Sequence, residues 1–439
     1  MERYDSYKDC GIYYLPLLPS DWQILRAKYL FKQEQRPVKD SDEIITCFRD
    51  GQVTLRRNRR IDGFTNSLKE IGYQGVRRGD LVIHNMDAFA GAIGISDSDG
   101  KATPVYSCCT PLLESIDSYY YCFFLRYLAK SNFILSLAKG IRERSTDFRF
   151  SDFKKLYLPV PSYSEQQAIV AYLDKETGKL DAAVEKLERM VEVLNERKQL
   201  IISKAVTRGL DDSVPLKDSG VEWIGQIPEH WESTSIKNVL ISRQAGSWGE
   251  EPTSNKFNTT CLRIADFDYK KLQFEIKSDY TQRAYDFNEV QTKMLHKGNL
   301  LIEKSGGGDK TPVGRVVLYN LDLEYPMYAN FMESLVVNDK FVLPSLMNYL
   351  FASLFRHGIV WKYIKAATGI QNLNISEYFS KEKVFLPPLS EQQAIVAYLD
   401  EETGKLDAAV EKLERMVDVL KERKQILISD VVTGKIKVA

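Results

Sequence analysis

The chain has 439 residues, 60 of them basic and 60 acidic, with 44% hydrophobic and 27% charged residues. That length is too great for one ordinary core and points to about two to four domains of soluble, globular composition. No run approaches the roughly 18 apolar residues of a membrane span, and the charged N-terminus lacks the apolar stretch of a secretory signal, so a cytoplasmic protein is expected.

The six cysteines (10, 47, 108, 109, 122 and 261) form no CxxC pair, and the four histidines show no ligand spacing. They read as small buried or incidental residues, and no metal is expected. Neutral net charge argues against DNA binding unless the acid is concentrated away from the DNA, because phosphate contacts need local positive charge.

In chain order, a leading segment comes first, with Lys8-Asp9-Cys10-Gly11-Ile12 and Leu18-Pro19-Ser20-Asp21-Trp22. A variable half over about 23–157 follows. It contains Gly79-Asp80-Leu81-Val82-Ile83, a turn running into a buried strand. It also carries a basic run, Arg49, Arg56, Arg57, Asn58, Arg59 and Arg60, then Arg77, Arg78, Arg142, Arg144 and Arg149. Arginine grips phosphate or guanine O6/N7 with two hydrogen bonds. The alternative is a solvated loop paired with nearby acids.

Residues 164–207 read as helix. Ser164 and Gln167 fit a capping box, and Glu165 suits the positive end of the helix dipole. A short helix through Leu173 is expected to break at Thr177-Gly178, since glycine disfavours the helix interior. Beyond it Leu180, Val184, Leu187, Val191, Leu194, Lys198, Ile201 and Ala205 alternate steps of 4 and 3, a coiled-coil seam with one lysine in it. About 28 residues at 1.5 Å each give a rod of roughly 42 Å.

The leading segment then returns at an offset of 209, as Lys217-Asp218-Ser219-Gly220-Val221 and Ile227-Pro228-Glu229-His230-Trp231. The second variable half, about 232–384, repeats the turn as Gly298-Asn299-Leu300-Leu301-Ile302. Lys304-Ser305-Gly306-Gly307-Gly308-Asp309-Lys310 lacks Walker spacing; its glycines either let backbone approach DNA or form a flexible turn. Thr368-Gly369-Ile370-Gln371-Asn372 holds the place of residues 142–149. Gln371 and Asn372 are either adenine-reading amides or buried structural ones. Asp266 with Glu275-Ile276-Lys277 is a weak nuclease-like fragment without a counterpart in the first half. No P-loop, cofactor loop or methyltransferase motif is found, so no catalytic site is expected.

Residues 390–433 repeat 164–207 at an offset of 226, with 37 of 44 positions identical. The second seam is Leu406, Val410, Leu413, Val417, Leu420, Lys424, Leu427 and Val431. Leading segment, variable half and helix are thus written twice. A pseudo-twofold arrangement follows, with the two rods antiparallel and packed on each other rather than each on its own domain. The C-terminus then falls beside the Lys8 segment. The expected fold class is α+β: two mixed α/β domains separated by two long antiparallel helices in a coiled coil. The boundaries are 1–157, 158–210, 211–384 and 385–439. Identical outer helix positions point either to two docking surfaces for two copies of one partner or to recent duplication. The rod compares with one DNA turn of about 34–36 Å, so an asymmetric, two-part target is expected.

Over essentially its full length the chain resembles the specificity subunits of type I restriction–modification enzymes. The resemblance rests on Ser164-Glu165-Gln166-Gln167 and Pro387-Pro388-Leu389-Ser390-Glu391-Gln392, on the Leu-Asp-x-x-x-x-Lys-Leu-Glu-Arg helices at 180–189 and 406–415, and on Asp218-Ser-Gly-Val-Glu-Trp-Ile-Gly-Gln-Ile-Pro-Glu-His-Trp231. The first copy departs from the last motif, with Ile12-Tyr13-Tyr14-Leu15-Pro16-Leu17-Leu18. The resemblance implies two target recognition domains on double-stranded DNA and two modification subunits, which hold S-adenosylmethionine and methylate adenine N6. It also implies two restriction subunits that use ATP and Mg. This chain would hold no cofactor. Rival readings are a metal-dependent nuclease, a protein-binding scaffold and a methylation-only system.

Overall fold

The structure is a computed structural model that describes residues 2–59, 70–137, 147–308, 312–367 and 370–438. It has two compact units: Met1–Glu188 with Arg415–Ala439, and Arg189–Glu414.

In the first unit the leading segment is a hairpin of Tyr7–Ile12 and Leu15–Pro19. Gln23–Arg26 pairs with Tyr157–Val160, which joins the start and end of the variable half. Between them lies an antiparallel sheet ordered Phe31–Glu34, Tyr106–Pro111, Leu81–His84, Ile93–Ile95. A hairpin of Ile45–Cys47 and Val53–Leu55 joins its edge through a parallel bridge from Val53 to Ser96. Helix Ser118–Lys130, capped by the Asp117 carboxylate, buries Tyr120, Tyr121, Phe124, Leu125 and Leu128. Those positions make one apolar stripe at helical spacing.

The second unit repeats this plan. Leu216–Asp218 and Gln226–Pro228 form the leading hairpin, and Glu232–Ser235 pairs with Lys383–Leu386. The sheet runs Leu240–Ala245, Met332–Val337, Leu300–Glu303, Val316–Leu318, Gln273–Phe274, Phe267–Asp268. The last two strands are the edge hairpin, again joined in parallel, at Gln273 and Leu318. Helix Pro344–Arg356 covers the sheet. The matching turns explain the sequence likeness. Gly79 and Gly298 have φ of 90° and 93°, where a side chain is strained. Beside them the side chains of Asp80 and Asn299 each accept a backbone N–H three residues back, at 2.8 Å.

Each main core combines the start of one long helix with the end of the other. Trp22, Phe31, Leu81 and Phe124 pack with Ile169, Leu173, Val431 and Val432. In the second unit Trp231, Leu300, Leu346 and Phe351 pack with Ile395, Leu399, Ile202, Ala205 and Val206. The C-terminus lies beside the leading segment as the repeat requires: Lys437 N–H donates to the Glu2 carbonyl at 2.9 Å.

The long helices, Tyr163–Arg208 and Leu389–Val432, have 46 and 44 residues and no break. The expected interruption at Thr177-Gly178 and Thr403-Gly404 does not occur. Both threonines are buried and a Cβ on either glycine would meet open space. One helical glycine costs only about 1 kcal/mol, which buried Leu173 and Leu399 one turn upstream offset. The continuous helices therefore measure about 69 and 66 Å, not 42 Å. The capping box is also displaced. The first helix begins after Ser162, whose hydroxyl and carbonyl accept from Glu165 and Gln166 N–H. The second begins after Pro388, whose carbonyl accepts from Gln392 N–H.

The helices pack antiparallel in both units. Asp181 and Glu188 pair with Lys424 and Lys421, so numbers rise along one helix as they fall along the other. Leu180, Val184, Leu187, Leu420 and Leu427 are half-buried and Val417 is buried in the first unit. In the second, Val191, Leu194, Ile201, Leu406 and Leu413 are half-buried, and Val410 and Lys198 are buried. Among the described residues no helix is long and apolar enough to cross a membrane.

Candidate nucleic-acid interface

The variable halves are held on the helices by the Glu-Gln dipeptides. Trp22 and Trp231 donate their indole N–H to Glu165 and Glu391, both at 3.0 Å. Gln166 and Gln392 are fully buried. The oxygen of Gln166 accepts from Asp117 N–H at 2.9 Å, and its nitrogen donates to the Ser115 and Pro161 carbonyls. Gln392 does the same with Leu343 N–H and the Phe341 and Pro387 carbonyls. Each amide thereby fixes the N-terminus of the helix that covers its sheet. By their place in the sequence these glutamates suit the helix dipole alone. The available signal was the tryptophan that accompanies Glu-Gln in both copies.

In the first unit the edge hairpin leads into a turn, Arg56–Asn58. Arg57 pairs with Glu43 at 2.6 Å and Arg59 with Asp50 at 2.6 Å, all four exposed. Arg59 also lies 4.3 Å from the Phe48 ring centroid. Arg56 donates to the Thr46 hydroxyl, and the Asn58 amide donates to that of Thr54. Arg149 pairs with Asp147 at the surface, and Arg78 is exposed. Exposed pairs of this kind are worth about 0–1 kcal/mol, so a phosphate can displace the carboxylate. Arg77 differs. Its guanidinium donates to Asp42 and to the Val76 and Gly100 carbonyls, beneath the surface. Arg60, Arg142 and Arg144 lie outside the described residues.

In the second unit Ser305–Gly306 pairs with Ile370–Leu373, Ser305 opposite Asn372 and Gly306 opposite Gln371. Strand alternation sends neighbouring side chains to opposite faces. Gln371 points in, 5% exposed; its nitrogen donates to the Gly308 carbonyl at 3.0 Å and its oxygen accepts from Val313 N–H. Asn372 points out and accepts from the Ser305 hydroxyl at 2.7 Å. Gly306 and Gly307 have φ of 120° and 64°, so this turn requires glycine. Half-buried Lys304 lies 3.7 Å from Glu333. Lys304, Ser305, Gly306, Gly307 and Asn372 thus share one segment of surface, while Gln371 holds it from below. Lys310 lies outside the described residues.

The family profile described as "Type I restriction modification DNA specificity domain" matches residues 228–414. The type I restriction enzyme MjaVIII specificity subunit of Methanocaldococcus jannaschii is 24% identical over 318 residues, 70% of this chain and 68% of that one. The putative type I restriction enzyme MjaX specificity subunit of the same organism is 23% identical over 450 residues, 96% and 95% of the two chains. The EcoKI specificity subunit of Escherichia coli is 20% identical over 302 residues, 67% and 60%. A solved chain, from a structure described as showing complex assembly and conformational transition of the type I R-M system, has the same fold. Its TM-score is 0.67 over 95% of this chain and 99% of that one, at 17% identity.

The chain is thus similar to type I restriction–modification specificity subunits, and residues 228–414 match their DNA specificity domain.

Its nuclease-like fragment is a structural ion pair. Asp266 is fully buried, receiving Lys277 Nζ at 2.6 Å and Arg263 N–H at 2.7 Å. Among the described residues no group of three or more His, Cys, Asp or Glu is placed to hold a metal ion. Burial pushes the Cys108 and Cys122 thiols up to about 12 and about 11, far from a reactive thiolate.

Proposed function

We propose that this chain is a type I specificity subunit whose two variable halves are target recognition domains, and that it reads an asymmetric, two-part DNA site, one half-site per domain, with the gap set by the helical connection. The supporting observation is chemical. Two domains of one topology carry different faces: an arginine turn at Arg56, Arg57, Asn58 and Arg59 in the first, and a lysine–glycine hairpin with Ser305 and Asn372 in the second. Arg78, Arg149 and Lys304 supply phosphate contacts in this reading. Arg77 and Gln371 act as supports. The working boundaries are 1–157 and 211–384 for the domains with their leading segments, and 158–210 and 385–439 for the spacers.

The outer faces of the helices dock two copies of an adenine-N6 modification subunit. Exposed apolar residues recur at matching positions, Met190 and Met416, Val193 and Val419, Leu200 and Ile426. S-adenosylmethionine belongs to those partners, and ATP and Mg to two restriction subunits that join for cleavage in the cytoplasm. The test is a methylation map of a host carrying this gene and its modification partner. Adenine methylation is expected at a split, asymmetric motif with a fixed gap of roughly 5–8 base pairs. A contiguous or palindromic motif overturns the reading.

A further inference from the structure

The two units differ at a place where their shared topology makes them comparable. In each, the edge hairpin ends in a turn that faces the long helices. In the second unit this turn, residues 268–272, is tied down. The Asp268 carboxylate accepts from Lys270 and Lys271 N–H at 3.0 and 3.1 Å. Leu272 takes a φ of 56°, unusual for a branched side chain. Its carbonyl accepts from the Asn348 amide at 2.8 Å and from Leu318 N–H at 3.0 Å, which fixes that conformation.

Three lysines connect this turn to the helices. Lys198 Nζ donates to the Lys270 carbonyl at 2.6 Å. Lys270 Nζ reaches Glu414 and Lys271 Nζ reaches Glu411, both at 2.8 Å. The carbonyl covers the Lys198–Asp407 pair, whose side chains are 6% and 19% exposed. In the first unit the equivalent pair, Lys424 and Asp181, is 27% and 60% exposed. It faces a cavity of about 280 Å³ that Asp50 and Arg126 also line. The turn at residues 48–52 supplies no covering carbonyl there. Instead the Arg126 guanidinium lies over Gly51, in the space an added Cβ would occupy.

We propose that residues 268–272 form a latch, with Lys270 and Lys271 as positioning residues that hold the second target recognition domain in one attitude on the helix segments of its unit. Among the described residues the first domain has no such latch. A fixed attitude keeps the distance from helix to reading face constant, so the latch restricts the gap lengths the subunit accepts. This last step rests on the two-part reading above.

Two measurements on the full-length chain test it. The first is hydrogen exchange of the strands Phe267–Asp268 and Gln273–Phe274 without DNA or partners. Exposed ion pairs are individually weak, so Lys270→Glu with Lys271→Glu is expected to speed exchange about 3- to 10-fold. Adding Glu411→Lys and Glu414→Lys restores it. Unchanged exchange in the first variant overturns the latch. The second is methylation by the assembled complex on targets with the gap lengthened or shortened by one base pair. The lysine variant is expected to raise the relative rate on altered gaps several-fold with the recognised bases unchanged. Faster exchange with an unaltered gap requirement overturns the positioning role. A contiguous motif for the unsubstituted chain overturns the two-part reading and the positioning role with it, while the exchange result still decides the latch.

Discussion

Lys198 donates to both carboxylate oxygens of Asp407 at 2.7 Å, and its repeat equivalent Lys424 does the same to Asp181, the equivalent of Asp407. A seam lysine alone would weaken a coiled coil. Here each lysine is matched by the aspartate of the Leu-Asp motif on the other helix, and the pairing fixes register, since sliding either helix by one turn separates both pairs.

The two pairs differ in burial, so their loss should differ. Asp407→Asn leaves Lys198 charged beneath the surface and is expected to cost about 2 kcal/mol, reduced from the fully buried range because Asp407 keeps some exposure. Asp181→Asn is expected to cost at most about 0.5 kcal/mol. Denaturant unfolding of the full chain, followed by exchange in each unit, measures both. Equal losses would contradict the assignment.

Gln166 and Gln392 are expected to be among the least replaceable polar residues. Alanine at either leaves a buried N–H and two carbonyls without partners, a loss of about 2–4 kcal/mol. Alanine at the exposed neighbours Gln167 or Gln393 should change stability by less than about 0.5 kcal/mol. Thermal unfolding of the four variants is the check.

Arg59 and Arg77 should separate recognition from stability. Arg59→Ala, or Arg57→Ala, is expected to leave Tm unchanged, weaken DNA binding and reduce the salt slope by about 1. Arg77→Ala should lower Tm first, because Asp42 is then left buried and unpaired. Fluorescence anisotropy across a salt series, with a melting curve for each variant, distinguishes the two outcomes.

In the second domain, Asn372→Ala is expected to cost about 1–3 kcal/mol of discrimination at one position of one half-site, the scale of a two-bond amide–base contact. The other half-site should be unaffected. Gln371→Ala should instead loosen the hairpin and weaken the whole half-site. Methylation motifs of the two variants report this directly.

The helix pair and the doubled plan were legible because duplication wrote them twice, and the Gly79 and Gly298 turns marked equivalent strands within divergent halves. Gly178 misled because a local propensity of about 1 kcal/mol was weighed without the burial on either side of it. Glu165 and Gln166 act on tertiary partners more than 40 residues away in sequence, which helix-end rules do not reach. Gln371 and Asn372 were equivalent in the sequence; only the pairing with Ser305 and Gly306 sets which faces outward. Arg77 and Arg57 are likewise indistinguishable in the sequence; the partner of Arg77, Asp42, is buried, whereas that of Arg57, Glu43, is exposed.

The central claim is that separate domains read separate half-sites across a fixed gap. It is tested most directly by replacing residues 23–157 with the corresponding domain of another specificity subunit and sequencing adenine methylation in the host. The expected result is a motif in which one half changes, the other half stays and the gap keeps its length. A motif altered in both halves, or unaltered in either, would contradict the account.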